Sequence, residues 1–246
     1  ETCGVTFPSD ARNALPEVSK TYESNVEGLY IVGALGGYPL IKQAINQGYE
    51  VIEFINGNTD LDPADEPLIT ETLKDVKNFD NETFLKEMRM RLPIFEELNP
   101  LMEREMLVES RVTAPSDGTI IFERGDYTNS VYTIFRGSVK IQTNEDDPSQ
   151  HVLLKQGAFF GEVGLISGRR RSATILSNAD DTILIETPRR TMLKLREDVS
   201  SLRKSMDKEA IVRQIQTYIA SSLGIDAIYK LAESASIENF RKGKVL

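Results

Sequence analysis

Phe160-Gly161-Glu162-Val163-Gly164-Leu165-Ile166-Ser167-Gly168-Arg169-Arg170-Arg171-Ser172-Ala173-Thr174 is the stretch of this 246-residue chain that says most about its fold. A glycine lets the backbone approach another group closely. The short apolar run after it supplies one helical turn whose unpaired N–H groups and dipole favour an anion. Arg171 follows on an incoming strand, where a guanidinium can hold a phosphate through two parallel hydrogen bonds. Glu162, at the start of the turn, is an acceptor suited to a sugar hydroxyl. Taken alone, Arg171 reads as one half of a surface salt bridge; the spacing to Glu162 and the glycines favours a phosphate cradle with a ribose hook. Arg169 and Arg170 read as a solvated turn.

Working outward, the flanks are built from short apolar strands at close spacing: 119–122, 131–135, 138–142, 152–154, 173–176 and 182–186. Turn residues separate them (Gly118, Gly125-Asp126, Gly137, Asp146-Asp147-Pro148, Gly157, Gly168, Asp180-Asp181), so an antiparallel barrel or roll is expected. After Pro188 the period becomes helical. Met192, Leu195, Val199, Leu202 and Met206 repeat at 3, 4, 3, 4, and Ile211, Ile215 and Ile219 continue at helical spacing, which predicts one or two long helices. The Met192–Met206 stripe fits either docking on the barrel or pairing with a second copy, docking being the commoner use of such a stripe.

The segment 160–174 resembles the phosphate-binding cassette of cyclic nucleotide-binding domains: Phe-Gly-Glu, four mostly apolar residues, a short turn, then Arg-(Ala/Ser/Thr)-Ala-Thr. Gly118-Thr-Ile-Ile-Phe-Glu-Arg-Gly125-Asp126 and Val131-Tyr-Thr-Ile-Phe-Arg-Gly137-Ser-Val-Lys-Ile141 resemble the first strands of that family, and the helix after Pro188 its hinge and lid helices. The similarity spans about 92–223. It implies a mainly β fold, a jelly-roll-like β-roll with N-terminal helices and C-terminal hinge and lid helices. It also implies a pose: Arg171 on the cyclic phosphate, Glu162 and the Gly161 backbone on the ribose 2′-hydroxyl, and Ser172 with the backbone near Ala173 completing a cradle that includes Val163 and Gly164. Gly164 stands where the family usually has Ala or Ser, which costs helix propensity and removes no ligand group. The hydroxyl of Ser172 occurs in receptors for either base, so the expected ligand is cAMP or cGMP, with cAMP favoured. Tyr218, Ile215 and Ile219 are the lid candidates, and the same side chains fit a plain helix core. The implied function is a regulatory module whose ligand repacks the C-terminal helices and alters an attached or associated effector domain.

The remainder divides into three pieces. Residues 1–57 contain an apolar run, Gly28-Leu-Tyr-Ile-Val-Gly-Ala-Leu35, then a Gly-Gly turn, Pro39 and a helix carrying Leu40, Ile41, Ala44 and Ile45, read as strand, turn and helix. Residues 26–55 resemble the last flavin-contacting segment of thioredoxin-reductase-like flavoproteins. Ala34 stands where that family has the acidic residue for the ribityl chain, and neither Gly-x-Gly-x-x-Gly nor Cys-x-x-Cys occurs, so FAD is not expected in this chain. The alternative function is thus part of a flavin-dependent oxidoreductase whose catalytic half lies elsewhere. Residues 58–91 read as an acidic linker running into an exposed helix: 58–90 holds nine acids against four bases. In 224–246, the segment 237–246 matches 112–121 at an offset of 125, Gly243 over Gly118, and reads either as the first strand of a second cyclic nucleotide-binding domain or as any glycine before apolar residues. No clear helix-turn-helix follows Leu223.

Composition narrows the function classes. With 29 basic and 38 acidic side chains the net charge is −9, which argues against nucleic acid as a partner. One His, His151, and one Cys, Cys3, leave no His/Cys cluster for zinc, iron–sulfur or haem and no intrachain disulfide. The longest weakly polar run, 28–41, is 14 residues and includes four glycines, too short for a bilayer span of roughly 20 residues. The chain opens on Glu1 without a signal peptide, as a processed or excised piece would, and the cytoplasm is the expected compartment.

Overall fold

The computed structural model describes residues 3–7, 14–38, 41–58, 61–63, 65–98, 100–142, 151–168, 170–219 and 223–235. They form two compact units, Glu1–Lys86 with Leu98–Glu109, and Glu87–Glu97 with Ser110–Leu246. Four helices belong wholly or partly to the first: α1 (Ile41–Ile55), α2 (Glu66–Thr72), α3 (Asn81–Arg91, which runs on into the second unit) and α4 (Pro100–Glu109).

In the first unit the apolar run 28–35 is not a strand. It contributes one isolated bridge, Glu23 to Tyr30, and then winds into a 3₁₀ turn, Gly33–Gly36. Gly28 and Gly33 sit at φ 76° and 66°, in the left-handed region, and break the extended path at both places. Of its apolar side chains Ile31 is buried, Leu29, Tyr30 and Val32 are half-buried and Leu35 is exposed, without the run joining a sheet. Pro39 and Leu40 lie outside the described residues. The acidic stretch after residue 58 folds into α2 and the start of α3, with Ile69, Leu73, Val76 and Phe84 buried beneath its charged surface. Arg104 on α4 holds the start of α2 through Asp65 at 2.7 and 2.9 Å and Glu66 at 2.6 Å.

The second unit is an antiparallel β-roll with flanking helices. Its strands are β1 (Arg111–Thr113), β2 (Ile120–Phe122), β3 (Ser130–Arg136), β4 (Ser138–Gln142), β5 (His151–Lys155), β6 (Phe159–Phe160), β7 (Thr174–Ser177) and β8 (Ile183–Pro188). They form two four-stranded sheets, in the orders β1-β8-β3-β6 and β2-β7-β4-β5. The chain steps from one sheet to the other at Gly137, between β3 and β4. Its φ is 76°, and a Cβ there would lie 2.7 Å from the Thr182 Cα, so the corner accepts only glycine. Between the sheets lies a core of Phe122, Tyr132, Ile134, Val139, Phe160, Ile175 and Leu184, with the Tyr132 and Phe160 rings stacked at 5.1 Å.

All six expected strands are present within about two residues of their expected ends. β1 and β6 are additions, three and two residues long, too short for any alternation to register. The expected turn at Asp146–Pro148 and the repeat copy at 237–246 lie outside the described residues. After β8 come α6 (Arg189–Asp198) and α7 (Ser200–Gln214), separated at Val199 by extended backbone, then a π-helical turn Ile215–Ile219 and α8 (Ile225–Glu233). Met192, Leu195, Val199, Leu202 and Met206 are all buried within the chain, which takes that stripe away from any second copy. Arg203 latches the α6–α7 corner by donating to the Arg196 and Glu197 carbonyls, both at 3.2 Å. α8 folds back on α7 through Val212, Ile215, Ile228 and Ala232.

Candidate functional site

Between β6 and β7 the chain forms α5 (Glu162–Ser167), a short helix entered and left through Gly161 (φ 91°) and Gly168 (φ 64°). Both conformations favour glycine, and at Gly161 the space is also full: a Cβ would collide with Arg171 Nη1 and lie 3.0 Å from the Ser130 carbonyl. The positive end of α5 therefore lies against the Arg171 guanidinium.

Arg171 is buried. Its Nε donates to Thr128 Oγ1 at 2.5 Å, Nη1 to the Gly161 carbonyl at 3.1 Å and Nη2 to the Ser130 carbonyl at 2.8 Å, and the guanidinium lies 4.2 Å from the Phe122 ring centre. Among the described residues no carboxylate is within 4.0 Å of it. Burial pulls its pKa down, against the attraction of Tyr132, Glu186, Glu162 and Asp126. The backbone around it is pinned to the turn before β3: Gly125 N donates to the Arg171 carbonyl and Arg171 N to the Asp126 carbonyl, both at 2.9 Å. A cation held this firmly, with neutral oxygens for acceptors, suits an incoming anion.

Glu162 is fully buried. Its Oε2 accepts from Arg213 Nη1 on α7 at 2.7 Å, whereas Oε1 is buried with no hydrogen-bond partner among the described residues. Burial raises its pKa, and Arg213 is the strongest opposing influence. Arg213 also donates to the Phe159 carbonyl and lies 3.9 Å from Glu209, four residues before it on α7. Arg189, at the start of α6, donates to the Leu165 carbonyl at 3.3 Å. α6 and α7 thus both place hydrogen bonds on the cassette.

Gly161, Glu162 and Arg171 come together as their spacing requires. Val163 and Gly164 lie in the first turn of α5, and Ser172 and Ala173 lead into β7, the Ser172 carbonyl accepting from Arg124 Nε at 3.0 Å. The lid candidates separate: Ile215 is buried against α8, Ile219 is exposed, and the Tyr218 side chain lies outside the described residues. Arg169 also lies outside them. Sequence reading missed Thr128, Ser130 and Arg213. The first two act through a hydroxyl or a backbone carbonyl and carry no pattern, whereas the placing of Arg213 four residues after Glu209 is a visible helical pair.

Residues 116–198 match the family model of the cyclic nucleotide-binding domain. That segment is a cyclic nucleotide-binding domain. Curated relatives of the domain include a cyclic nucleotide-gated potassium channel of Mesorhizobium japonicum, 34% identical over 84 residues, which are 34% of this chain and 22% of the channel. A cGMP-dependent protein kinase of Caenorhabditis elegans is 30% identical over 103 residues, 40% of this chain and 13% of the kinase. The chain spans less than a quarter of the length of either. Among solved structures, the regulatory domain of Toxoplasma gondii PKA in co-crystals with cAMP is 19% identical with a TM-score of 0.44, over 62% of this chain and 57% of that one. Of the described residues, no helix is long and apolar enough to cross a membrane.

Proposed function

We propose that the cyclic nucleotide-binding domain is a cytoplasmic regulatory module that binds cAMP, with at most a modest preference over cGMP, and passes occupancy to an attached or associated effector domain through α6 and α7. The observation that carries this reading is the pair of unmatched groups on the cassette: a buried arginine without a carboxylate and a buried carboxylate with one oxygen unpartnered. A cyclic phosphate supplies the first with its counter-charge, and Arg171 turns to it from the Gly161 and Ser130 carbonyls. A ribose 2′-hydroxyl donates to Glu162 Oε1. The backbone of Gly161, Val163, Gly164 and Ala173 and the Ser172 hydroxyl line the cradle, and Ser172, exposed and suited to either base, sets only a weak base preference.

The output follows from where α6 and α7 are tied. Arg213 and Arg189 hold these helices to the resting cassette, so a nucleotide that reshapes the cassette binds one helix arrangement better than the other and shifts the population between them. Of residues 26–55, on which the flavoprotein alternative rests, 41–55 form the expected helix and 28–35 a bridge and a 3₁₀ turn in place of the expected strand.

Isothermal titration with cAMP and cGMP tests the assignment. Arg171→Ala is expected to weaken binding by about 2–5 kcal/mol, the range for removing one partner of a buried charge pair. Unchanged affinity in that variant overturns the site, and strong selectivity for cGMP overturns the base preference.

A further inference from the structure

Helix α1 carries an apolar face that is exposed, where a surface helix usually carries polar residues. Its inward face is mixed: Val51 is buried beside Gln47 and Glu50, with Gln47 Oε1 accepting from Gly33 N at 2.7 Å and Glu50 Oε2 from the Tyr22 hydroxyl at 2.5 Å. Its outward face is apolar, with Ile41, Ile45, Tyr49, Ile52 and Ile55 exposed by 79, 65, 60, 56 and 55%. Single exposed hydrophobic residues need no explanation, but a continuous stripe on one helix does.

The stripe has an internal order. Positions 41, 45, 48, 52 and 55 are spaced 4, 3, 4, 3, the seam of a helix that packs along another helix, and the middle position is Gly48. A glycine inside a helix costs roughly 1 kcal/mol relative to alanine. Among the described residues, nothing outside the helix's own neighbouring backbone comes within 4 Å of where a Gly48 Cβ would stand, so no contact among them accounts for it. Close approach of a second backbone does. Around Gly48 the isoleucines lie at −7, −3, +4 and +7, nearly symmetric, so the face complements itself when a copy is turned end for end.

We propose that α1 is the contact helix of a homodimer in which two copies pair antiparallel about a two-fold axis at Gly48. Antiparallel pairing also sets the two helix dipoles head to tail. Five large side chains, each more than half exposed, present on the order of 500 Å² per copy, or about 1,000 Å² for the pair, at the lower edge of specific interfaces. The expected dimer is therefore a reversible one. This inference stands apart from nucleotide binding and from the buried Met192–Met206 stripe.

Sedimentation velocity on the full chain from low to high micromolar concentration is expected to show a concentration-dependent dimer. Ile45→Asp is expected to weaken it by about tenfold or more, a loss of about 1.4 kcal/mol. The decisive variant is Gly48→Leu, which strengthens the helix and adds apolar surface yet blocks close approach: the dimer weakens if helices cross there and tightens if the face is merely sticky. A Gly48→Cys variant in a Cys3→Ser background is expected to give a disulfide-linked dimer under mild oxidation. A wild-type monomer at every concentration, tighter association of Gly48→Leu, or no cross-link from Gly48→Cys overturns the proposal. Far-UV circular dichroism confirms that each variant is folded.

Discussion

Arg213 is the main counter-charge of a carboxylate that has no access to water, which makes Arg213→Met an informative perturbation. Deleting one partner of a buried ion pair costs about 3–5 kcal/mol when the other is left charged. Glu162 has an escape, because it can take up a proton. An ordinary glutamate titrates near about pH 4.3, so holding it neutral costs at most about 1.36 × (7 − 4.3), or roughly 3.7 kcal/mol, at pH 7, and about 1 kcal/mol at pH 5. Burial already raises the Glu162 pKa in the wild type, so part of this penalty is present before the change and the difference falls below that ceiling. Loss of the Arg213 bond to the Phe159 carbonyl adds roughly 1 kcal/mol that does not vary with pH.

The direction with pH follows from linkage. A carboxyl whose folded pKa lies above its unfolded value favours the folded state at low pH, and that advantage is lost as pH rises through the folded pKa. Arg213→Met raises the folded pKa further, so its destabilisation is expected to grow from about 1–2 kcal/mol near pH 5 to about 2–4 kcal/mol near pH 7.5. Urea denaturation of both proteins at the two pH values measures this. Adding Glu162→Gln to Arg213→Met is expected to remove the pH-dependent part. A loss that is the same at both pH values, or that is largest at pH 5, refutes the reasoning.

Gly161→Ala is expected to abolish detectable nucleotide binding and to destabilise the domain by about 2 kcal/mol or more, from the left-handed backbone and the collision with Arg171, as read by titration and thermal melting. Gly137→Ala, far from the cassette in sequence and set against Thr182 backbone, is expected to cost about 3 kcal/mol in chemical denaturation while nucleotide affinity, measured where the variant is folded, stays within about threefold. Nucleotide affinity is expected to fall by less than about tenfold from 50 to 500 mM salt, because the charge pair is buried and screened weakly; titrations at the two salt concentrations check this.

The roll was legible because its strands are short, apolar and punctuated by residues with specific backbone roles. Gly118, Gly125, Gly137, Gly157 and Gly168 all adopt positive φ, so the turn residues that divided the sequence also divide the fold. The same glycine logic failed in 28–35. There the apolar run looked like a buried strand, but a strand needs a partner, and among the described residues of that unit only isolated bridges occur. Local pattern reports burial, and burial alone does not choose between a strand and a packed turn. At the site, the residues supplied by one continuous segment were readable and those supplied by others were not. Glu162 and Arg171 share a motif, whereas Thr128, Ser130 and Arg213 reach the same place from the turn before β3, from β3 itself and from α7.

An acidic chain and an anion site are compatible because the two charges act over different ranges. The acids of 58–90 that the structure describes are exposed or half-buried, where screening confines their influence to about 8 Å at physiological ionic strength. Arg171 answers instead to its immediate surroundings, where burial works against its charge and Glu186 and Asp126 support it from beyond contact distance. Those carboxylates do not pair with the guanidinium directly, and its three nearest acceptors are a hydroxyl and two carbonyls. Uncharged acceptors can be exchanged for a phosphate without leaving an anion stranded; a carboxylate partner could not be. What suits the site to an anion is therefore the choice of neutral oxygens around one buried arginine, a property that the net charge of −9 neither reveals nor opposes.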